Sequence, residues 1–390
     1  MRLFQRFSFL LVLVLLHACA SIPERHPLPM EFADTAEIPN IPRARRWGDV
    51  PAPLQDEWLA TPNEILHQQF QGIVGVEHNY LSISGGGANG AYTAGVMVAW
   101  TELETRPQFT IVTGISTGAL IAPFVFLGSD YDYLIRELYT ESATEDIFTE
   151  RGLIEFLTGD SAVNPFPIRG KLVEVINEDF LAALAAEGRK GRKLLISTTN
   201  LDAMRPVVWD ISAISVSGEP HALQLIRDIL LASASIPVAF PPVMFEVEAN
   251  GQRYDEMHVD GGVTSQVFFH PAGLRFAEGL EKLEVPGTPN LYVIRNSKIG
   301  AQWETVDRAL IPIAARTITS LIRTQGIGDL FQIYLVAKED GIDVHFAGIP
   351  EDFDAPSEEA FDMSYMQALY QRGYQDALQG KVWQDPSFAD

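Results

Sequence analysis

Cysteine is almost absent from this sequence, since Cys19 is the only one in 390 residues. A single cysteine cannot form a disulfide within the chain, so the packing of the core must stabilise the fold. Basic residues are also scarce: 28 Lys and Arg stand against 51 Asp and Glu, which gives a formal net charge of −23. Such a surface repels a phosphate backbone and argues against nucleic-acid binding.

Charged residues make up only 20% of the chain, whereas 47% of it is hydrophobic. This composition is typical of a globular protein with a large core. We find no internal repeat and no composition break that marks a second domain. The sequence therefore predicts one large domain at 61–350, with a C-terminal helical segment at 351–390 that packs on the same domain.

Residues 1–18 have the pattern of an export signal. Arg2 and Arg6 precede an apolar run at 7–16. This run is shorter than the roughly 20 residues that a membrane-spanning helix needs. A cleaved signal peptide is therefore favoured over a transmembrane helix.

The cysteine follows this run directly, in Leu16-His17-Ala18-Cys19. The stretch resembles the lipobox of bacterial lipoproteins, in which the cysteine is lipidated and becomes the mature N-terminus, although His17 departs from the usual pattern. Ala20 in place of Asp predicts sorting to the outer membrane. We expect a lipid-anchored protein of the bacterial cell envelope; the alternative is an ordinary signal peptide and a secreted or soluble periplasmic protein.

Residues 19–60 are predicted to be a linker between the lipidated cysteine and the body. Seven prolines lie between positions 21 and 53. Proline removes backbone donors and favours extended conformations, as in a tether. The basic cluster at 43–47 next to an aromatic residue suits either contact with anionic headgroups or a solvated linker.

The body alternates between strand-length and helix-length segments. This alternation predicts an α/β fold with a mostly parallel sheet covered by helices on both faces. The predicted strands are 80–84, 109–113, 193–199, 206–210, 258–259 and 290–295. The predicted helices include 91–103, 118–127, 169–187 and 222–234.

Three consecutive glycines, Gly85-Gly86-Gly87, lie between a predicted strand and a predicted helix, and Gly90 follows them. Backbone N–H groups at the start of a helix form a cradle for an anion. The anion could be a phosphate or the oxyanion that forms during acyl transfer. The formal G-x-G-x-x-G match does not decide between them, because a glycine triplet makes that match easy.

The next strand leads into Gly114-Ile115-Ser116-Thr117-Gly118. This is a G-x-S-x-G pattern between a strand and an apolar helix, the setting in which a serine nucleophile is held on a sharp turn. Glycines flank the serine because larger side chains would collide at such a turn. Ser116 is therefore the candidate nucleophile.

A serine nucleophile needs a general base. None of the eight histidines has a sequence setting that singles it out, although His345 in a late apparent strand is in a triad-like position. Asp260, by contrast, ends a short predicted strand and precedes Gly261-Gly262, where the backbone can approach an active site closely. Taken alone, Asp-Gly is also a common turn pair.

Taken together, these motifs resemble the patatin-like phospholipase family, including its bacterial lipid acyl hydrolases. The resemblance rests on the glycine triplet with Gly90, the Ser116 motif and the Asp260 motif, in that order. The Ala-Ser-rich segment 232–243 before Asp260 is similar to a fourth family segment. The resemblance implies a three-layer α/β/α fold and a catalytic dyad of Ser116 and Asp260 that needs no histidine.

The resemblance also implies an oxyanion hole in the glycine loop, formed by Gly85, Gly86, Gly87 and Ala88. Asn89 departs from the family pattern, which usually has Arg or Lys before the last glycine of this motif. An asparagine amide can still donate hydrogen bonds. No metal or other cofactor is expected, and no EF-hand-like acidic loop is present in the sequence.

Three functions are compatible with these residues. The favoured one is a serine acyl hydrolase of lipid esters, of the phospholipase A or lysophospholipase type. An acyltransferase would use the same dyad with an acceptor other than water. A lipid-binding envelope lipoprotein would keep the fold without the activity. The expected partners are a lipid ester substrate and a membrane that holds the N-terminal anchor.

Overall fold

The computed structural model describes residues 25–51, 55–150, 161–271 and 273–384. The predicted signal peptide at 1–18 and the predicted lipidation site Cys19 lie outside the described residues. Within the described part, the strands are β1 (Arg45–Trp47), β2 (Asn79–Ile83), β3 (Ile111–Ile115), β4 (Thr149–Glu150), β5 (Val163–Asn164), β6 (Lys193–Asn200), β7 (Arg205–Asp210), β8 (Val243–Ala249), β9 (Gln252–Asp260), β10 (Asn290–Arg295) and β11 (Asp343–Gly348).

The α-helices surround the sheet in the described ranges. They are α1 (Gln55–Ala60), α2 (Asn63–Gln69), α3 (Gly90–Glu102), α4 (Thr117–Leu127), α5 (Asp132–Thr140), α6 (Thr144–Ile147), α7 (Phe166–Val175), α8 (Glu178–Arg189), α9 (Ile211–Val216), α10 (Ala222–Ser233), α11 (Phe276–Lys282), α12 (Leu310–Glu339) and α13 (Met363–Leu378).

Nine strands form one sheet, in the order β1-β7-β6-β3-β2-β10-β11, with β9 paired to β6 and β8 paired to β9. Five neighbouring strands of this sheet are parallel to one another: β6, β3, β2, β10 and β11. The other pairs in this sheet are antiparallel and lie on the β6 side. The α/β fold with a mostly parallel central sheet is thereby confirmed.

The central strands are buried on both faces, which explains their nearly continuous apolar sequences. Leu81 and Ile294 contribute to an apolar cluster that includes residues of α3, α4 and α13. Leu291 and Val293 contribute to a second cluster with residues of α12. Because successive side chains of a strand point to opposite faces, the two clusters are the two interfaces of a three-layer structure.

Helices α3 and α13 approach each other very closely. A Cβ atom on Gly95 would lie 2.0 Å from the carbonyl oxygen of Tyr370, and one on Gly373 would lie 2.4 Å from that of Tyr92. Only glycine allows backbones to come this near. The C-terminal helix is thus packed against the helix that follows the glycine loop.

Strand β6 aligns the ends of two other strands along one edge. Ile115 of β3 lies opposite Ser197, and Asp260 of β9 lies opposite the next residue, Thr198. The chain leaves β3 at Ser116 immediately after this pairing. The register of β6 therefore brings Ser116 and Asp260 together from positions 144 residues apart.

The described part of the predicted linker is not an extended tether. Residues 27 and 37 form bridges to β9 and β8, and β1 pairs with β7. Ile38, Ile41 and Ala44 are buried. The buried ion pair of Arg45 with Glu256, at 2.5 Å, fastens this segment to β9. Apolar residues between the prolines are buried, so the described residues 25–51 pack against the sheet. We call these residues the N-terminal strap.

Two further expectations about elements were wrong. The single helix predicted at 169–187 is two helices, because the Asn177 side chain accepts a hydrogen bond from Phe180 N and begins α8. The short strand predicted at 258–259 is the end of β9, which pairs with β8 from Val243 opposite His258 to Ala249 opposite Gln252.

Candidate active site

Ser116 lies on the sharp turn between β3 and α4. Its backbone has φ 54° and ψ −124°, a conformation that a serine rarely adopts. A Cβ atom on Gly114 would lie 2.5 Å from the carbonyl oxygen of Gly118, and one on Gly118 would lie 2.3 Å from that of Ile83. The two flanking glycines are therefore required by close backbone contacts, as the G-x-S-x-G pattern predicts.

Asp260 ends β9 and is the hydrogen-bond partner of Ser116. The Ser116 hydroxyl donates to Asp260 Oδ2 at 2.6 Å, and Gly262 N donates to Asp260 Oδ1 at 2.7 Å. A Cβ atom on Gly261 would lie 2.5 Å from the carbonyl oxygen of Ser197. The two glycines after the aspartate thus allow one close packing contact and one bond to the carboxylate.

The two side chains are largely removed from water. Ser116 is 8% exposed and Asp260 is 5% exposed. Burial raises the pKa of Asp260 to about 7, although the hydrogen bonds from Ser116 and Gly262 act in the opposite direction. A carboxylate with a pKa near 7 can both accept and return a proton at neutral pH, which suits a general base.

The Ala-Ser-rich segment 232–243, which begins in the last turn of α10, contacts both residues. Ser116 N donates to Ser233 Oγ at 3.0 Å, and Ser233 Oγ donates to Ser197 O at 2.7 Å. Asp260 N donates to Ser235 O at 2.9 Å. Sequence reasoning recognised this segment only as a family likeness and missed that two of its serines position the site.

The glycine loop packs directly against the Ser116 turn. A Cβ atom on Gly85 would lie 3.1 Å from Ser116 Cβ, and one on Gly90 would lie 2.6 Å from Thr117 Oγ1. Gly87 has φ 57°, a conformation that favours glycine. The loop ends in a short 3₁₀ turn, Gly87–Asn89.

The N–H groups of this loop are not equivalent. Gly85 N donates to Gln266 O at 3.1 Å, so this predicted oxyanion donor is already engaged in a structural hydrogen bond. The N–H groups of Gly87 and Ala88 open the 3₁₀ turn and have no partner within it, as at the start of any helix. Gly86, Gly87 and Ala88 remain the candidate donors.

Two polar residues that sequence reasoning missed hold the loop in place. Asn296 N donates to Ser84 Oγ at 2.8 Å, and its amide nitrogen donates to Ser84 O at 2.9 Å. Gln266 accepts from Gly85 through its backbone and donates to Gly262 O at 2.6 Å through its side chain. Gln266 therefore connects the glycine loop with the Asp260 turn.

Asn89 is bound to the C-terminal helix. The Tyr365 hydroxyl donates to Asn89 Oδ1 at 2.6 Å. This contact orients the amide that stands where the family pattern has a cation, and it links α13 to the glycine loop. The predicted packing of the 351–390 segment on the main domain thus has a contact at the site itself.

The candidate histidines of the body have other partners. His78 contacts Tyr80 and Ile73 O, His258 contacts Thr198 and Glu256, His270 contacts Asp340, and His345 contacts Asn290. His221 precedes α10. The hydrogen-bond partner of the Ser116 hydroxyl in the described structure is Asp260.

Other features do not coincide with this site. A cavity of about 310 Å³, lined by Arg106, Phe109 and Arg192 among others, lies at the amino ends of β3 and β6, away from Ser116. In the described ranges, no cluster of three or more His, Cys, Asp or Glu residues is placed to hold a metal ion. No helix in these ranges has the length and apolar character needed to cross a membrane.

All four sequence motifs, from the glycine loop to Asp260-Gly261-Gly262, lie within a single match to a protein-family model. Residues 81–272 match the model of the patatin-like phospholipase family. Patatin-like protein 1 of Oryza sativa subsp. indica is 22% identical over 301 residues, which cover 68% of this chain and 69% of that protein.

Two other similarities are more limited. The cUMP-AMP-activated phospholipase of Escherichia coli is 44% identical over 64 residues, which cover 16% of this chain and 20% of that protein. The crystal structure of VipD from Legionella pneumophila aligns with a TM-score of 0.39 and 14% identity, over 78% of this chain and 67% of that chain.

Proposed function

From the patatin-like α/β fold of this chain and the match of residues 81–272 to the patatin-like phospholipase family, we propose that it is a serine acyl hydrolase of lipid esters. Its proposed catalytic residues are Ser116 and Asp260. The observation that carries the proposal is the 2.6 Å hydrogen bond from the Ser116 hydroxyl to Asp260. Both relatives carry names that point to patatin or to a phospholipase, which supports a lipid substrate.

The proposed reaction has two halves. Ser116 Oγ attacks the ester carbonyl carbon while its proton passes to Asp260 Oδ2. The bond to the alcohol then breaks, the alcohol takes the proton, and an acyl-serine remains. A water molecule repeats the attack, gives its proton to Asp260 and releases the fatty acid, and the proton returns to Ser116.

The oxyanion of each half would be bound by the N–H groups of Gly86, Gly87 and Ala88. Donors of this kind contribute about 3 kcal/mol each to the stabilisation of the transition state in other hydrolases. The loop is fixed before substrate arrives by the Ser84–Asn296 and Gly85–Gln266 hydrogen bonds. Such a fixed loop needs no reorganisation during the reaction.

Labelling with a fluorophosphonate tests the nucleophile. We would use the chain starting at Ser21, which retains every residue that the structure describes. Intact-mass measurement should show one adduct on the wild type and none on Ser116→Ala or Asp260→Asn. A peptide map should place the adduct on Ser116.

Matched control variants show whether a loss of labelling is specific to Ser116 and Asp260. Ser129→Ala lies in the 3₁₀ turn Ser129–Tyr131 that follows α4, and Asp343→Asn lies at the amino end of β11; both should label like the wild type. A folded wild type without an adduct would refute the hydrolase and favour a lipid-binding lipoprotein. An adduct that survives Asp260→Asn unchanged would remove Asp260 from the mechanism.

Product analysis tests the substrate class. We expect free fatty acid from phospholipid or lysophospholipid vesicles, detected by mass spectrometry, and no release by Ser116→Ala. If the acyl group instead appeared on an added alcohol acceptor, with no free acid, the chain would be an acyltransferase. Comparison of the diacyl lipid with the lysolipid distinguishes the phospholipase A type from the lysophospholipase type.

We further propose that the mature protein is anchored in a bacterial envelope by lipid on Cys19. The support is the short apolar run that ends directly before this cysteine. Growth of bacteria expressing the full chain with an alkyne-tagged fatty acid should label the wild type, and Cys19→Ser should abolish the label. Release of unlabelled wild type into the periplasm would instead indicate an ordinary signal peptide.

A further inference from the structure

Helix α12 has a continuous exposed stretch in its first half. Residues 317–322 of this helix are exposed without interruption, whereas Leu330 and Ile333 in its second half are buried against the sheet. The exposed half includes Leu321 at 65% and Ile318 at 57% exposure. A soluble surface seldom presents several large apolar side chains together without a partner.

The two sides of this half-helix are oriented unusually. On an α-helix, Ile318, Leu321 and Ile322 project within an arc of about 100°. Arg316 and Arg323 project on the opposite side. These arginines are bound to the chain: Arg316 pairs with Glu304 at 2.9 Å, and Arg323 donates to Ile299 O at 2.8 Å. The polar side thus faces the protein and the apolar side faces outward, the reverse of an ordinary surface helix.

The surrounding sequence is low in negative charge. Residues 308–328 include three arginines and no acidic residue, in a chain whose net charge is −23. The preceding loop carries Trp303, which is 98% exposed. Exposed tryptophans and uncharged apolar faces are both typical of segments that lie in a membrane interface.

The same helix contacts the site. Gln266 donates to Gln325 Oε1 at 3.0 Å, and Gln266 N donates to Asp329 Oδ2 at 2.5 Å. Gln266 is the residue that joins the glycine loop to the Asp260 turn. The exposed stretch 317–322 therefore ends within one helical turn of Gln325, which contacts Gln266.

We propose that the apolar face formed by Ile318, Leu321 and Ile322 docks on a lipid bilayer surface and brings the Ser116 site to its substrate. This inference rests on the proposed function. A bilayer fits this face better than an acidic protein surface does, because the face is uncharged, narrow and next to the site that would take lipid esters. The helix would lie in the interface, with its arginine side on the protein.

The test uses the chain starting at Ser21, so that no acyl anchor contributes to binding. The double variant Ile318→Gln/Leu321→Gln removes two apolar side chains and keeps a good helix former at each position. Vesicles of phosphatidylcholine, with and without phosphatidylglycerol, are mixed with protein and sedimented. Because the two side chains that the variant removes would be buried in the bilayer, the partition coefficient should fall by about a hundredfold.

Three measurements distinguish docking from loss of the enzyme. Fatty acid release from vesicles should fall in parallel with binding, whereas the rate of fluorophosphonate labelling without vesicles and the unfolding midpoint should not change. Val173→Gln, which replaces a residue of α7 that is 52% exposed, should bind vesicles like the wild type.

Two results would overturn the proposal. One is vesicle binding by the double variant that equals that of the wild type. The other is a wild-type dimer in sedimentation velocity that the double variant converts to monomer while vesicle binding is unchanged, because a second copy would then cover the face. Failure of the wild type to label would refute the proposed function instead, and vesicle binding would still report on the apolar face.

Discussion

Asp260 combines two properties that conflict at the level of a single residue. It is buried almost completely, which disfavours its charged form, yet the proposed mechanism requires the charged form to accept the Ser116 proton. The result is a pKa raised to about 7. The ionisation of this carboxyl should therefore govern the reaction across the neutral range.

The labelling rate should depend on pH through Asp260. The base form is lost as the pH falls below about 7, so the second-order rate constant for fluorophosphonate labelling should decrease about tenfold per pH unit in the acid range. Above pH 7 the rate should be constant. Measurement from about pH 5 to about pH 9 checks this; a flat profile would mean that another group accepts the proton.

The same carboxyl should destabilise the fold above neutral pH. Its pKa rises from the ordinary value of 3.8 to about 7 on folding, so folding favours the protonated form and stability is lost as the pH rises through this window. Asp260→Asn should therefore be more stable than the wild type above pH 7, by at most about 4 kcal/mol.

Urea unfolding at two pH values measures this gain in the free energy of unfolding. The difference in free energy of unfolding between Asp260→Asn and the wild type should be large above neutrality and close to zero near pH 4. Asp343→Asn, at the exposed start of β11, is the control for an Asp-to-Asn substitution. A variant less stable than the wild type at alkaline pH would show that the charged carboxylate is well compensated in the fold.

Some site residues can be predicted from the sequence and others cannot. Ser116 and Asp260 each lie in a local pattern of glycines, and such patterns have a steric cause that is visible in the sequence. Ser233 and Gln266 act through contacts with residues more than 100 positions away. No spacing rule connects them to Ser116 or to Gly85, so their roles emerge only from the folded chain.

At the scale of elements, the junction of β3 and α4 depends on the backbone contact between Gly118 and β2. A Cβ atom on Gly118 would lie 2.3 Å from Ile83 O, and backbone cannot move aside cheaply. Gly118→Ala should destabilise the protein by about 2 kcal/mol or more and reduce labelling of Ser116. The measurement is urea unfolding, together with intact-mass labelling.

Gly170 within α7 is the matched control. A Cβ atom there would meet no other atom within 4 Å, and alanine favours the helix by about 1 kcal/mol over glycine. Gly170→Ala should therefore be neutral or stabilising and should label normally. Equal destabilisation by the two variants would contradict the contact argument.

The elements that were mispredicted carried local signals of their own. In the segment 243–249, Glu246 and Glu248 alternate with apolar residues, and Asn250-Gly251 follows it, a strong signal for a hairpin. Asn177 before two acidic residues is a typical helix start. These signals predict the β8–β9 hairpin and the separation of α7 from α8; the central parallel strands were found because their apolar runs are continuous.

At the scale of the whole molecule, the N-terminal strap links parts of the sheet that are distant in sequence. Arg25 contacts Asp202 and Asp255, and Arg45 contacts Glu256. Burial alone would raise the pKa of Glu256, but His258 and Arg45 hold it below the usual range. The sequence could not predict this strap, because prolines and short apolar residues between them are equally compatible with a tether.

Removal of the strap should therefore disturb the site, although the strap is remote from Ser116 in sequence. A chain starting at Gln55 lacks β1, leaving the edge of β7 uncovered, and leaves Glu256 buried without Arg45. Loss of one partner of a buried ion pair typically costs about 3 to 5 kcal/mol. Since Asp260 ends the strand that the strap holds, this shorter chain should unfold at a lower urea concentration and label more slowly than the chain starting at Ser21.

Arg45→Met should reproduce much of the loss of stability, whereas Arg253→Met, which breaks an exposed pair with Glu246, should change the free energy of unfolding by about 1 kcal/mol or less. Equal stability and equal labelling of the long and short chains would show that residues 25–51 act as a tether after all.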